Sequence, residues 1–405
     1  MNKVTDITTV KPRIEWLDGI KGISCLMLFI LHFFMGFYPA YHFGEAQESH
    51  LNGFEVWLLN SPLNMFFAGN VFVALFCVIS GLVLALQVMN MKNPLEKIPG
   101  VVIKRYLRLM LPVVPIGFFV WVVSKLGLFY NIEAVQYTLS GWLTQYYSED
   151  MSLGSMLSAV FVKIWFYGDD SISTAYWMLS QMFYGSFLAI ILGTIYWQFK
   201  RFAGALYLFV FAVFLPRHDY LAAFAVGAII AWMFKEGHMD IFKKFDNKAG
   251  CVTSHIVSKV TGWICIALGI FLGGYPSGTE PTNYYRIMNI HFNEVWYFLG
   301  AFFIIFGVYQ LEVVQKFLNI RPLKFLAKIC YDIFLVHIPI IFSVGMGLFV
   351  LLMKNGMDYN LAVIITAVVT IPLVVIVSAF YNKYVGKSCS VVIKKIMDIM
   401  DQKSR

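Results

Sequence analysis

"LDGIKGISCLMLFILHFF", residues 17–34, is an apolar run with Lys21 near its start and His32 well inside it. Ionisable groups are expensive inside a bilayer. A membrane helix therefore needs a reason to carry these two residues eleven positions apart. The rest of the chain says that this is a membrane helix. Hydrophobic residues make up 59% of the 405 residues and charged ones 13%, with a mean hydropathy of +0.71. A soluble domain would carry about a quarter charged residues. The apolar stretches are long enough to cross a ~30 Å hydrocarbon core as helices, and none shows the period-two alternation of a membrane barrel strand.

The fold class read from this pattern is all-α, a polytopic membrane bundle. Ten spans are expected, at about 19–40, 62–90, 107–128, 177–197, 202–215, 220–234, 260–276, 294–311, 329–353 and 360–381. The fifth and sixth are short, share only "PRHDY" (216–220), and could instead be interfacial or re-entrant. Residues 1–18 are read as an N-terminal cytoplasmic segment, 19–381 as the membrane domain and 382–405 as a basic cytoplasmic tail. A cleaved signal peptide is not expected, because no small-residue cleavage site follows the first apolar run.

Charge sets the expected orientation. The N-terminus, the stretches around 91–108, 198–201, 235–259 and 312–328, and the tail hold 26 of the 31 Lys and Arg residues, counting Lys21. Only Lys125, Lys163, Arg217, Arg286 and Lys354 fall on the other side. The positive-inside rule then places both termini in the cytoplasm. The net charge of +8 follows from this pattern and calls for membrane lipid, not nucleic acid, as partner. The tail "YNKYVGKSCSVVIKKIMDIMDQKSR" reads as a helix on the inner leaflet. The six cysteines form no CxxC pair, and neither a disulfide nor a metal site is expected.

At 3.6 residues per turn, Lys21 and His32 lie on nearly one helix face, roughly 16 Å apart along the axis. Lys21 can reach the inner headgroups, whereas His32 sits near the midplane. It is either a buried hydrogen-bonded histidine or a general acid/base. His337, in "ICYDIFLVHIP", is a second intramembrane histidine. Asp332, five positions earlier, does not share its face, so the two are no dyad, and His337 reads as structural or supporting. In "VVIKRYLRLMLP" (101–112), Arg105 and Arg108 are neighbours on one face. They fit positive-inside anchoring or bidentate phosphate contact. Ser80-Gly81 suits close helix packing. On the outer side, segment 129–175 carries Trp142, Tyr146, Tyr147, Trp165, Tyr167, Asp169 and Asp170. These suit a sugar-binding surface or an interfacial aromatic belt. "YPSGTEPTNYY" (275–285) reads as an outer loop, and His42, His50 and His218 give no metal-ligand spacing.

These pieces together resemble the acyltransferase 3 family, multi-span membrane O-acyltransferases of bacterial envelopes. "LDGIKG" is similar to its "LDGLRG", and Lys21 to His32 reproduces its Arg-x10-His spacing with Lys in place of Arg. "NVFVALFCVISGLVLAL" (70–86), "RYLR" (105–108), "YWMLSQMFYGSFL" (176–188) and "LAKICYDIFLVHIPI" (326–340) resemble further family segments, in order, over about residues 13–381. Two positions depart from the pattern. Lys21 lacks the arginine fork, and Met182 stands where the family has a glutamate, with Gln181 the nearest polar residue.

The resemblance implies an acyl-CoA donor, acetyl-CoA or another short acyl-CoA, and a hydroxyl acceptor on an envelope polysaccharide or lipid-linked sugar. It also implies a place in the bacterial cytoplasmic membrane. The expected roles are His32 as catalytic base, or as a transient acyl carrier, and Lys21, Arg105 and Arg108 as holders of the donor phosphates. Ser80, Tyr331 and His337 are expected to support them. A transporter or flippase for an envelope glycan or small solute, and a partner-binding scaffold, are the competing readings. Paired broken helices, the mark of many transporters, are not evident in the sequence.

Overall fold

Two glycines three residues apart decide where the first helix sits. α1 (Glu15–Phe37) begins with Glu15 and Asp18 in its first turn, where acidic groups suit the positive helix end. A Cβ on Gly19 would lie 2.1 Å from the Leu318 carbonyl oxygen, and one on Gly22 would lie 2.5 Å from that of Leu323. The bare face of α1 therefore rests directly on neighbouring backbone. Lys324 adds an ion pair to Glu15 at 2.6 Å. At the C-terminal end of α1, Ser140 Oγ donates to the Met35 carbonyl at 2.6 Å and the Tyr359 hydroxyl donates to that of Phe37. These bonds satisfy carbonyls that a helix C-terminus leaves open.

The computed structural model describes residues 14–148, 150–217, 219–240, 251–277 and 280–403. Residues 1–13, 149, 241–250, 278, 279, 404 and 405, and His218, lie outside the described residues, and with them part of the stretch 275–285 that was expected as an outer loop. Among those described, every regular element is helical. After α1 come α2 (Asn70–Met89), α3 (Pro94–Lys125), α4 (Thr174–Phe199), α5 (Ala203–Phe214), α6 (Leu221–Glu236), α7 (Cys251–Gly273), α8 (Glu294–Gln310), α9 (Glu312–Leu318), α10 (Arg321–Lys354) and α11 (Tyr359–Met400). Short helical turns fill the outer segments at 40–68 and 131–176.

Seven described helices are long and apolar enough to cross a membrane, and the α8–α9 pair, bent by 105°, makes eight at most. Ten were expected. The difference lies in helices that form in the expected places but are short. α5 has 12 residues and α6 has 16, which reach about 18 and 24 Å against a ~30 Å core. α8, with 17 residues, qualifies only together with α9.

Two apolar cores share α1. One gathers residues of α1, α2, α4, α6 and α8, and the other those of α1, α3, α10, α11 and the outer segment. Met35, Phe76 and Phe334 pack against both. In the first core α2 and α6 touch backbone to backbone. A Cβ on Gly81 would sit 2.6 Å from the Phe224 carbonyl oxygen, and one on Gly227 2.3 Å from that of Val78. The Ser80-Gly81 step thus has its packing explanation.

The outer segment turns inward. Trp142 and Trp165 are buried, and the Tyr147 hydroxyl donates to the Ile172 carbonyl at 2.7 Å. Asn131 Nδ2 holds the carbonyls of Leu143 and Tyr146 at 2.8 and 2.7 Å. An interfacial belt was one reading of these aromatics, but apart from the exposed Tyr167 they wall the core. His50 stacks on Tyr359 with centroids 3.8 Å apart, and the buried Glu55 accepts from Ser49 Oγ and the His50 and Leu51 amides.

Because Gly19 faces an immovable carbonyl, Gly19→Ala is expected to destabilise the detergent-solubilised protein by about 1–3 kcal/mol. Gly141→Ala, which meets nothing within 4 Å, is the control. Equal melting temperatures for the two variants would contradict the seat described here.

Candidate active site

The expected residues meet in two small cavities placed end to end. The inner one, about 200 Å³, is lined by Lys21, Ser80, Arg105, Arg108, Met182 and Tyr331, among others. The outer one, about 160 Å³, is lined by His32, His42, Asn70, Thr174 and Trp177 among apolar neighbours. Met178 and Phe334 belong to the walls of both. The cations that sequence placed on two different helices therefore face one space, and His32 lies beyond a shared apolar collar.

Hydrogen bonds fix the inner wall. Arg105 Nε donates to Ser186 Oγ at 3.0 Å, and Ser186 in turn donates to the Met182 carbonyl at 2.5 Å. The Tyr331 hydroxyl donates to the Leu109 carbonyl at 2.6 Å, joining α10 to α3. Its proton is thus committed to structure, away from the chamber of His32. Cys25 Sγ donates to the Cys330 carbonyl at 3.2 Å, joining α1 to α10. Met182, at the position where a glutamate was expected, presents a thioether to the inner cavity, and Gln181 Oε1 is buried without a partner.

His32 has a neighbour that spacing along one helix could not reveal. Its Nδ1 lies 3.1 Å from Nε2 of His337 and 2.8 Å from the Leu28 carbonyl oxygen. His337 Nδ1 faces the carbonyls of Ile333 and Phe334, both at 2.9 Å. Two carbonyls accept only, so His337 Nδ1 carries the hydrogen and, in the neutral ring, Nε2 is an acceptor. His32 Nδ1 must then be the donor, facing two acceptors. Its Nε2 keeps a lone pair and has no protein partner among the described residues. Trp142 stacks on the His32 ring, with centroids 6.0 Å apart.

The backbone just beyond His337 departs from a regular helix. Pro339, inside α10, has no N–H to offer the Leu335 carbonyl. The Tyr176 hydroxyl supplies the missing hydrogen bond at 3.0 Å. Two residues after Pro339 the helix widens into a π-helical turn over Ile341–Gly345, and Ser343 Oγ donates to the Pro339 carbonyl at 2.6 Å. His337, Asn70, Thr174, Trp177 and His42 are the site residues that sequence reasoning weighted least or missed. His42 stands on a short outer helix, Ala40–Phe43, with Nδ1 buried and unpaired.

Asp332 stays apart from His337, as its position on the helix implied. It accepts from Asn382 Nδ2 at 2.8 Å, on the far side of α10.

Tyr176→Phe leaves the Leu335 carbonyl buried and unsatisfied, and is expected to cost about 1–3 kcal/mol, read by thermal melting in detergent. His42 gives a pH test. Burial lowers its pKa from 6.5 to about 4. Between those values the unfolded chain takes up a proton that the folded ring refuses, so stability falls as pH drops through that window and is full above it. Replacing His42 by Asn should flatten that acid limb of the melting curve. An unchanged limb would mean that His42 does not carry it.

A family model, acyltransferase 3, described as an acyltransferase domain, matches residues 14–379. The chain therefore belongs to this acyltransferase family. No curated protein and no solved structure matches it.

Proposed function

We propose that this member of the acyltransferase 3 family moves a short acyl group, acetyl in the simplest case, from acyl-CoA to a hydroxyl of an envelope glycan. The donor enters at the end carrying Lys21, Arg105 and Arg108, taken as the cytoplasmic side, where most Lys and Arg of the chain gather. The acceptor enters at the other end. The setting is the bacterial cytoplasmic membrane. The observation that carries this reading is the end-to-end arrangement of the cavities. Three cations line the first, His32 lines the second, and Met178 and Phe334 form the collar between them.

This layout fits the donor. Its anionic nucleotide end is bound by cations, and its thin pantetheine arm suits an apolar collar. The arm passes between Met178 and Phe334 and brings the thioester to His32. The acceptor oxygen attacks the thioester carbonyl carbon while His32 Nε2 takes the hydroxyl proton. As the C–S bond breaks, the proton on His32 passes to the departing thiolate. Throughout, His32 Nδ1–H stays aimed at the Leu28 carbonyl and His337 Nε2, two acceptors that favour the transient imidazolium. His337 thus orients His32 and does not itself touch substrate. Asn70, Thr174 and Trp177 bring N–H and O–H donors to the chamber in which the oxyanion forms. Ser80 and Tyr331 face the inner cavity and serve the donor arm instead.

His32→Ala is expected to lower acyl transfer by about 10²- to 10⁴-fold with donor affinity nearly unchanged. Arg105→Ala should instead raise the donor concentration needed for half-maximal rate. The assay uses membrane vesicles, radiolabelled acetyl-CoA and envelope glycans. Equal transfer by wild type and His32→Ala would remove His32 from the chemistry.

A further inference from the structure

Arg108 borders more than the central cavity. It also lines a separate vestibule of about 660 Å³ between α3, α10 and the far part of α11, with Lys328, Lys383 and Lys387. Tyr331 and Arg108 are the wall that this vestibule shares with the inner cavity. We propose that the phosphate-bearing nucleotide end of the donor docks in this vestibule, held by Arg108, Lys328, Lys383 and Lys387. The inference rests on the acyl-CoA reading given above.

Three observations support the assignment. First, the charge in the vestibule is unbalanced. None of Lys328, Lys383 and Lys387 has a carboxylate partner among the described residues. The one carboxylate in the wall, Asp332, is already engaged by Asn382. Like charges held round one concavity repel unless an anion joins them. Second, α11 is locally rebuilt there. It widens into a π-helical turn over Asn382–Gly386, a departure often found at functional sites. Lys383 lies within this turn and Lys387 follows it directly. The tail carrying Lys387 continues α11 and packs on α3, where Met397 lies beneath Gly100. Third, the size is right for a nucleotide, within the few hundred to thousand Å³ of small-molecule sites.

A second vestibule, about 650 Å³, also borders Arg108. Beyond the cations it shares with the inner cavity, Lys21 and Arg108, it adds only Lys235, whose Nζ donates to Asn90 Oδ1 at 2.6 Å, and it includes Asp18. The first vestibule adds three lysines. Phosphate chemistry therefore favours the first. That chemistry is shared by a nucleotide and by an anionic lipid headgroup, and the test separates them.

The full-length protein is purified in detergent, and binding of CoA and of adenosine 3′,5′-bisphosphate is measured by titration calorimetry. The variants are the triple Lys328→Gln/Lys383→Gln/Lys387→Gln and, as control, Lys235→Gln. The triple variant should lose about tenfold or more in affinity for both probes, by the same factor, because the lost contacts are to the part they share. Lys235→Gln should bind both as wild type does. Unchanged melting temperatures confirm that the variants fold. Wild-type affinity in the triple variant overturns the assignment. So does wild-type affinity accompanied by loss of co-purified phosphatidylglycerol in native mass spectrometry, which marks a lipid site. Weakening by Lys235→Gln alone moves the nucleotide to the other vestibule and also overturns it. Failure of wild type to bind CoA or the bisphosphate overturns the donor reading itself, and the assignment with it.

Discussion

The close seat of α1 against the α9–α10 backbone is the constraint on which the site depends. Gly19 and Gly22 set it at one end, where any Cβ would collide with a carbonyl. About three turns further on, the same approach brings His32 to 3.1 Å from His337. Two helices that stood apart by one more side chain would hold these rings out of hydrogen-bond range. A packing feature at one end of the bundle is thus linked to the pairing of two histidines near the middle, while the Leu28 carbonyl of the same helix already assigns the hydrogen of His32 to Nδ1.

A second regularity follows from the solvent. In lipid, a backbone carbonyl freed from its helix partner has no water to turn to. Tyrosine hydroxyls bond backbone carbonyls repeatedly here, both ones left open, as at Leu335, and ones inside a helix, as at Leu192. The hydroxyls of Tyr176, Tyr331, Tyr207, Tyr285 and Tyr297 donate to the carbonyls of Leu335, Leu109, Leu192, Phe271 and Tyr275. The Tyr381 hydroxyl does the same for Pro112. The ring fills apolar space while its tip carries one strong donor. The high tyrosine content of the chain, 22 residues, is therefore a load of long-range helix ties as well as an aromatic surface.

Function follows from a gradient of polarity along one path. Cations stand at one end, an apolar collar in the middle, and His32, paired with His337, with scattered donors beyond it. Such a path accepts a ligand that is itself anionic at one end and apolar along its stem. Met182 and Lys21, the two departures from the family pattern, both face the inner cavity and leave the His32 chamber unaltered.

By itself the sequence determined the helical membrane class, because apolar length and charge asymmetry are properties of local chain. It also placed Lys21 and His32 near one face of their helix and Arg105 and Arg108 near one face of theirs, since the 3.6-residue period fixes which side chains within one helix look the same way. It could not say how one helix is rotated or shifted against the next. The pairing of His32 with His337 was invisible for that reason, and so were the tie from Tyr176 to the carbonyl that Pro339 leaves open and the inward turn of Trp142. Ten crossings were expected, and seven described helices, or eight with the bent α8–α9 pair, are long and apolar enough to span, because hydropathy marks apolar content while α5, α6 and α8 form with only 12, 16 and 17 residues. Backbone approach and shared cavities belong to the assembled bundle, and only the tertiary structure decided them.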